Sequence, residues 1–488
     1  MKNHKRFVLA AMSCVLAASL ASCSAEPAGA ETEETAAETE STEKTYLSAE
    51  DISVTETLEN TNDGEHVIEA DGTEASYHNI AVNKTGEADG DEADFYGENA
   101  AIFATNGAVL DLNEIVVTTN GTHANGVFSY GEGTVVNIAD SVIETTGNCS
   151  GGLMTTGGGT MNAQNLTIHT TGRSSAAIRS DRGGGAVVVD GGSYTTDGTG
   201  SPVIYSTADI TVSDAYMEST ASQGVVVEGK NSVTLNNVEL TADNNTKNSD
   251  KSDYYQAVMI YQSMSGYAAE GEASFTMNGG TLVNRNGDIF FVNNTKAVIT
   301  LSEAEITNES DGVFLRAAAA GWGLEGSNGG HVDLYADSQK IEGDLLADEV
   351  STLNLYLQNG SQLTGSINPE GQAGEVYVEV SNDSVWKLTG DSYITSLTCE
   401  AGSIDLNGYK LYINGEEYKE NTASEGEAIE VTVTSSGQGG MPDGEPPERP
   451  DGEGHGGMPD GEPPERPDGE GGQPPEKPEG TPPEKPEN

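Results

Sequence analysis

Three arginines stand close together in the stretch TTGRSSAAIRSDRGGG, residues 170–185. Basic residues are scarce in this chain, which has 22 Lys and Arg against 79 Asp and Glu and a formal net charge of −57 at pH 7. A guanidinium group pairs with a carboxylate through parallel hydrogen bonds, and a tyrosine ring packs on a sugar face. If Arg179, Arg182 and Tyr205 project from neighbouring strands, they can hold an acidic polysaccharide. We therefore predict that these three residues bind a ligand.

The same region contains the parts of a lyase. Eliminative cleavage of an acidic polysaccharide requires a base beside an α-proton and usually a cation on the carboxylate. Arg179 as the base, with Asp181 and Glu228 as Ca²⁺ ligands, would supply both. Pairs of arginine and carboxylate on adjacent strands are also common structural contacts. We favour this structural interpretation, assign no catalytic residue, and expect Arg179, Tyr205 and Glu228 to project outward at one position of consecutive repeats.

An acidic segment, GEADGDEADFYGEN, covers residues 86–99. Hard oxygen ligands at alternate positions suit Ca²⁺, which indicates a site formed by Asp89, Asp91 and Asp94. The segment lacks the complete EF-hand pattern, because Ala100 stands where the distal glutamate would fall. A solvated acidic loop without an ion is the alternative interpretation.

Two aromatic-rich segments interrupt the repeat pattern, at residues 242–272 and 316–330. Insertions in repeat proteins usually collect on one side and form the binding surface. Aromatic rings among Asn, Ser and Gly are typical of a platform for carbohydrate or peptide. The aromatic candidates for ligand binding are Tyr254, Tyr255, Tyr261 and Trp322, and the first segment also contains Tyr267. The alternative is that these rings cap the end of the solenoid or cover an apolar seam.

The elements that must position these residues follow from a repeat. Segments with one pattern begin at Ala108, Thr134, Thr160 and Ala186, which are 26 residues apart, and less regular copies follow. Each copy has a short alternating strand, a turn with Asn, Asp or Gly, and a second strand, with no amphipathic helix. A fixed period of this kind predicts an all-β solenoid of roughly a dozen parallel coils.

Stacked coils make specific predictions about particular residues. We expect Ile115, Val142, Ile168 and Met217 to lie above one another in the core. Cys149 belongs to an early coil and Cys399 to a late one, so roughly 40 Å should separate them at about 4.8 Å per coil. A disulfide between them is therefore excluded.

Both termini differ from the repeats in composition. Residues 1–22 combine three basic residues, an apolar run and no acidic residue, which predicts a secretory signal peptide. Residues 23–45 form an acidic tether, 46–437 the solenoid, and 438–488 a Pro/Gly/Glu-rich repeat tail. We expect the tether and the tail to be disordered. The strongly negative charge makes nucleic acid a poor partner.

The sequence resembles known families in three places. Leu20-Ala21-Ser22-Cys23 resembles the lipobox of bacterial lipoproteins. This resemblance implies that Cys23 is lipidated and anchors the protein at the extracellular face of a bacterial membrane. The alternative is an ordinary cleaved signal peptide followed by a chance cysteine. Residues 360–413, with Ser384-Val385-Trp386-Lys387-Leu388-Thr389-Gly390, resemble pertactin-like autotransporter adhesin passengers. More loosely, residues 75–437 are similar to the pectate-lyase-like superfold, which implies a right-handed parallel β-helix.

These observations together predict a surface-anchored, adhesin-like scaffold that binds an extracellular polysaccharide or a host or cell-surface ligand without catalysis. The only cofactor they suggest is Ca²⁺. A polysaccharide lyase or glycoside hydrolase of the same superfold is the first alternative, and a purely structural surface protein is the second.

Overall fold

The computed structural model describes residues 45–431, except 264–267 and 382, and only the backbone of Asp91. Contacts divide the chain into Met1–Thr45 and Tyr46–Asn488, and the fold is that of the second unit. The predicted signal peptide, Cys23, nearly all of the tether, the tail and Tyr267 lie outside the described residues. No described helix is long and apolar enough to cross a membrane.

The described part of the second unit is a right-handed parallel β-helix, as predicted. A first sheet has 21 strands and a second sheet has 11, and within each sheet the strands pair in parallel between successive coils. In most coils the chain contributes one strand to the second sheet and two to the first. Successive coils bury each other's apolar side chains, which no single coil could do alone.

The first sheet contains the longer strands. Its members are Glu56–Asn60, Glu74–His78, Ile80–Lys84, Val109–Asn113, Val116–Thr119, Val135–Ala139, Val142–Thr145, Gly159–Thr170, Gly185–Thr196, Asp209–Ser213, Tyr216–Ser219, Ser232–Asn236, Glu239–Ala242, Glu272–Asn278, Thr281–Asn284, Thr295–Ser302, Glu305–Asn308, Gly330–Asp337, Thr352–Gln358, Glu375–Val380 and Ser396–Cys399.

The second sheet has one strand in each of eleven coils. Its members are Ile68–Asp71, Ile102–Thr105, Val127–Tyr130, Leu153–Thr156, Ile178–Ser180, Ile204–Ser206, Val225–Glu228, Gln256–Tyr261, Asp288–Asn293, Leu315–Ala317 and Leu345–Ala347.

Two small sheets complete the late coils. They contain Lys340–Glu342, Gln362–Thr364, Val385–Lys387 and Ile404–Asp405, and then Ser392–Ile394, Leu411–Ile413 and Glu416–Glu417. The described helices are a 3₁₀ turn at Ala49–Asp51 and a short α-helix, α1, at Asp91–Phe95.

A sharp bend occurs in the part of each coil that belongs to the first sheet; it separates two strands in most coils and lies inside Gly159–Thr170 and Gly185–Thr196 in the other two. One residue with positive φ makes it in coil after coil: Glu114, Asp140, Asn165, Gly191, Asp214, Asn237, Gly279 and Glu303. Asn, Asp and Gly tolerate this left-handed backbone better than other residues, which explains why they recur in the turns of the repeat.

The core stack differs in register from the prediction. Ile168 and Met217 do share a column, with Tyr194 between them. Ile143, not Val142, is the residue that pairs with Ile168, and Ile115 lies beside a bend, outside the column. The predicted stack was wrong at these two positions because apolar spacing alone does not fix where a strand starts after a bend.

Both described cysteines are free thiols, as their distant coils require. Cys149 is half-buried in an early turn, and Cys399 is buried in the last strand of the first sheet. At the late end, Leu411–Ile413 pairs antiparallel with Glu416–Glu417, and this is the only antiparallel strand pair in the described part of the chain. This hairpin interrupts the parallel stacking at the late end.

Candidate functional site

The candidate functional site is the outer face of the second sheet. Alternate side chains of this sheet point into the solenoid core, and those between them point outward. The strand register places the outward residues in one row: Phe103, Phe128, Met154, Arg179, Tyr205, Val226, Met259, Phe291 and Arg316. Seven of the nine are hydrophobic or aromatic, so this face requires a cover.

Three covering segments, residues 85–101, 243–255 and 318–329, supply that cover. In the first, the Tyr96 ring meets Tyr130 at a centroid distance of 5.6 Å. In the second, Tyr254 lies 5.4 Å from Phe291. In the third, Trp322 lies 5.2 Å from Tyr261. The segments therefore form two apolar clusters over the sheet, one early and one late.

Arg179 lies between these two clusters and is held by a carboxylate. Its Nη2 donates to Asp181 Oδ2 at 2.8 Å, and its side chain is 15% exposed. Burial acts to lower the pKa of Arg179, but the charge of Asp181 outweighs it and raises that pKa. Arg179 is therefore a cation paired with a carboxylate of its own coil, and in this state it does not accept a proton.

Arg182 is held by the first covering segment. Its guanidinium lies 3.8 Å from the centroid of the Phe95 ring, in cation–π contact. Its backbone N–H donates to Asp181 Oδ1 at 2.9 Å. Asp181 therefore organises both arginines.

Glu228 forms a polar group with two tyrosines. The Tyr205 hydroxyl donates to Glu228 Oε2, and the Tyr261 hydroxyl lies 3.3 Å from the same oxygen. The two tyrosyl oxygens are 3.2 Å apart. Burial raises the pKa of Glu228, and burial followed by the Glu228 charge raises the pKa of Tyr205 well above its usual value.

The predicted alignment of these residues needs a correction. Arg179 and Tyr205 do pair across consecutive coils, but Tyr205 pairs with Val226, and Glu228 pairs with Tyr261 two positions further along the strand. Glu228 shares the outward face but not the row. Because the Tyr205 side chain is long, its hydroxyl still reaches Glu228.

The predicted aromatic platform serves largely as cover. Tyr261 is buried and Trp322 is half-buried against it. Tyr254 is 38% exposed, and Arg316 lies 4.2 Å from its ring centroid. Lys247 lies 5.7 Å from the Tyr255 ring. Most of these rings thus cover the apolar seam, and Tyr254 also presents a surface.

The sequence analysis missed two residues near the acidic segment. His123 and Cys149 lie beside Asp94, and one potential ligand atom from each falls within 4.8 Å of the others. The sequence could have indicated that these two residues are neighbours, because the 26-residue period puts His123 and Cys149 at equivalent turn positions of consecutive coils. Asp89 is fully exposed near His123, and nothing in the described structure tests the predicted Ca²⁺ site.

The electrostatics of this cluster favour a neutral thiol beside a charged carboxylate. Burial, and then the Asp94 charge, raises the pKa of Cys149. For Asp94, burial acts to raise the pKa, but contact with His123 and the nearby arginines outweigh it and lower that pKa.

One comparison with known proteins finds a distant relative. The chain is similar to the autotransporter adhesin/invasin TibA of Escherichia coli O78:H11 (strain H10407 / ETEC), with 27% identity over 149 residues. That match covers 29% of this chain and 15% of the length of the relative. No family model and no solved structure matches the chain. The likeness agrees with the predicted resemblance to adhesin passengers, while the lipoprotein and pectate-lyase-like resemblances stay predictions.

Proposed function

We propose that this protein is an adhesin-like β-helix at a bacterial cell surface, which binds an extracellular glycan or surface ligand without catalysis. The observation that carries the proposal is that the three covering segments all lie over one sheet and leave Tyr254 exposed at its surface. Similarity to an adhesin supports the same role. The proposed anchor is lipid on Cys23, and its support is the sequence alone.

The setting of Tyr254 suits a binding residue. Arg316, which contacts its ring, is itself fixed by a bidentate pair with the buried Asp288, at 2.6 and 3.3 Å. The ring is therefore oriented before any ligand arrives, which lowers the entropy lost on binding. An exposed ring held in one orientation suits contact with the face of a sugar.

One observation favours a second function, that of a polysaccharide lyase or hydrolase. A buried carboxyl group with a raised pKa beside two tyrosyl hydroxyls, as at Glu228, is a set of groups that can transfer protons. Such an enzyme would have to admit substrate beneath the covering segments.

The test is binding of the full chain to immobilised polysaccharides. A panel of acidic and neutral polysaccharides is immobilised, and the affinity of the wild-type chain for each is compared with that of Tyr254→Ala, in Ca²⁺ and in a chelator. We expect about a fivefold loss of affinity, since an aromatic contact contributes about 1 kcal/mol. Tyr409→Ala, which removes an exposed tyrosine from a late coil, is the matched control and should bind normally.

Three other results would contradict the proposal. Equal binding by Tyr254→Ala and the wild type would mean that the ligand does not bind at the covering segments. Shortened polysaccharide, prevented by Glu228→Gln, would establish the enzyme. Absence of both binding and cleavage across the panel, and of binding to host cells, would favour a structural surface protein.

A further inference from the structure

Asp94, His123 and Cys149 come together from three places in the chain. Asp94 lies in helix α1 of the first covering segment. His123 and Cys149 occupy the same turn of consecutive coils, each with a φ of 54°. The backbone N–H of His123 donates to the backbone oxygen of Asn148 at 2.9 Å, and the backbone N–H of Cys149 donates to that of Arg173 at 2.8 Å. The coil backbone therefore fixes both residues on adjacent levels.

The imidazole of His123 is buried at ion-pair distance from Asp94, in an arrangement that forms no hydrogen bond of normal geometry at Nδ1. Its side chain is 5% exposed, and Nδ1 is buried without a hydrogen bond. Asp94 Oδ1 lies only 3.0 Å from this nitrogen, but the approach does not have the directionality of a hydrogen bond. An ion about 2 Å from each atom would span this separation and satisfy both.

The other ring nitrogen faces a second carboxylate. Asp89 Oδ1 lies 3.8 Å from His123 Nε2. A histidine that binds a metal usually directs its other N–H at a carboxylate, carbonyl or water, which sets its tautomer. Asp89 thus stands where an outer partner of a metal site is expected.

The donor set determines which ion fits. One imidazole nitrogen, one thiolate sulfur and one carboxylate oxygen suit Zn²⁺ and Co²⁺, whereas Ca²⁺ takes oxygen ligands. The thiolate and the carboxylate together balance two positive charges, and the nearby Arg179 is already paired with Asp181. Three protein ligands leave a fourth position open to water.

We propose that Asp94, His123 and Cys149 form a binding site for a borderline divalent metal ion such as Zn²⁺. The ion joins the first covering segment to two consecutive coils and displaces the thiol proton of Cys149 to solvent. It therefore locks the cover over the early part of the second sheet. The acidic segment contributes to this site through Asp94, as one ligand among three chemically different ones.

The test is titration of the reduced, metal-free full chain with Co²⁺, followed by absorption spectroscopy. Binding through Cys149 produces a thiolate-to-cobalt charge-transfer band together with the visible bands of a four-coordinate ion, at one ion per chain. Cys149→Ser should remove the charge-transfer band and weaken binding by at least about a hundredfold, and Asp89→Asn should weaken it about tenfold. Zn²⁺ should displace Co²⁺ and raise the melting temperature.

The variants are chosen to fold. Serine already occupies the equivalent turn of the next coil, at Ser174 with a φ of 55°, so Cys149→Ser suits the backbone. His123→Asn keeps a residue that tolerates left-handed backbone. Cys399→Ser, in a late coil, is the matched control and should keep the band. Circular dichroism of the metal-free variants verifies the fold.

Several outcomes would overturn the site. One is a charge-transfer band of equal strength in Cys149→Ser. Others are loss of the band in Cys399→Ser only, a wild-type chain that binds no Co²⁺, and displacement of bound Co²⁺ by Ca²⁺ at equal concentration. Each of these can be distinguished from a failure of ligand binding, because no polysaccharide takes part in the measurement.

Discussion

At the scale of single residues, the outer face of the second sheet has polar groups between two apolar clusters. Arg179 and Asp181 form one group, and Tyr205, Glu228 and Tyr261 form the next. Asp181 and Glu228 are 7% and 3% exposed, so each depends on its partners to offset the cost of burial.

Glu228 should give the protein a characteristic dependence on pH. Its pKa is raised in the folded state, mainly by burial, above the usual 4.5. Above pH 4.5, and up to the raised pKa, the folded state keeps a proton that the unfolded chain has released. Stability from this group is therefore present below pH 4.5 and is lost as the pH rises through the folded pKa.

We expect Glu228→Gln to lack that loss. The melting temperature of the wild type minus that of the variant should fall as the pH rises from 4.5 towards neutrality, as measured by calorimetry. Glu400→Gln, at an exposed position, should show a constant difference from the wild type. A constant difference for Glu228→Gln as well would mean that the carboxyl titrates normally.

At the scale of elements, a column of glycines sets how closely the turns of the early coils stack. A Cβ built on Gly147, Gly172 or Gly198 would lie 1.8 Å from the carbonyl oxygen of the glycine one coil earlier, and one on Gly121 would lie 2.0 Å from that of Gly86. No side chain fits at such a distance. These glycines are required by close backbone approach between coils.

We expect Gly172→Ala to destabilise the solenoid strongly. The added methyl group meets backbone, which cannot rotate away, so the coils must separate locally at a cost of about 3 kcal/mol or more. Chemical denaturation measures the change. Gly107→Asn is the control, because nothing lies within 4 Å of its Cβ and asparagine tolerates positive φ. A loss of stability in Gly172→Ala no larger than that of the control would contradict the close contact.

At the scale of the whole molecule, the dominant property is negative charge. The chain carries 79 acidic and 22 basic residues. Charge of one sign keeps a protein soluble but destabilises its folded state by self-repulsion. Added salt screens this repulsion, because the Debye length falls from about 30 Å at 0.01 M to about 10 Å at 0.1 M.

The melting temperature should therefore rise with ionic strength over that range. Scanning calorimetry in NaCl and in tetramethylammonium chloride, with a chelator present, measures it and separates screening from specific cation binding. Equal rises in the two salts support self-repulsion. A melting temperature that does not change, or a rise in NaCl alone, would mean that self-repulsion is not a major term.

The sequence by itself determined the class of fold. The 26-residue period, the alternating strands and the Asn, Asp and Gly of the turns specify a stack of parallel coils, because only neighbouring copies can bury each coil's apolar side chains. It also excluded a disulfide between Cys149 and Cys399, since residues in distant coils cannot come within bonding distance. It suggested carboxylates on adjacent strands as partners of Arg179, whereas the partner in the structure is Asp181, two residues further along the same coil.

Only the tertiary structure decided the register between strands of consecutive coils and the contacts that the covering segments make with the second sheet. Side-chain alternation fixes which face a residue lies on, but a slip of two positions keeps the face, so Glu228 was assigned to the wrong row. The covering segments have no periodicity, and their place is set by packing on the outward row of the second sheet. For that reason the meeting of Asp94 with His123 and Cys149 follows from the folded chain and not from the repeat alone.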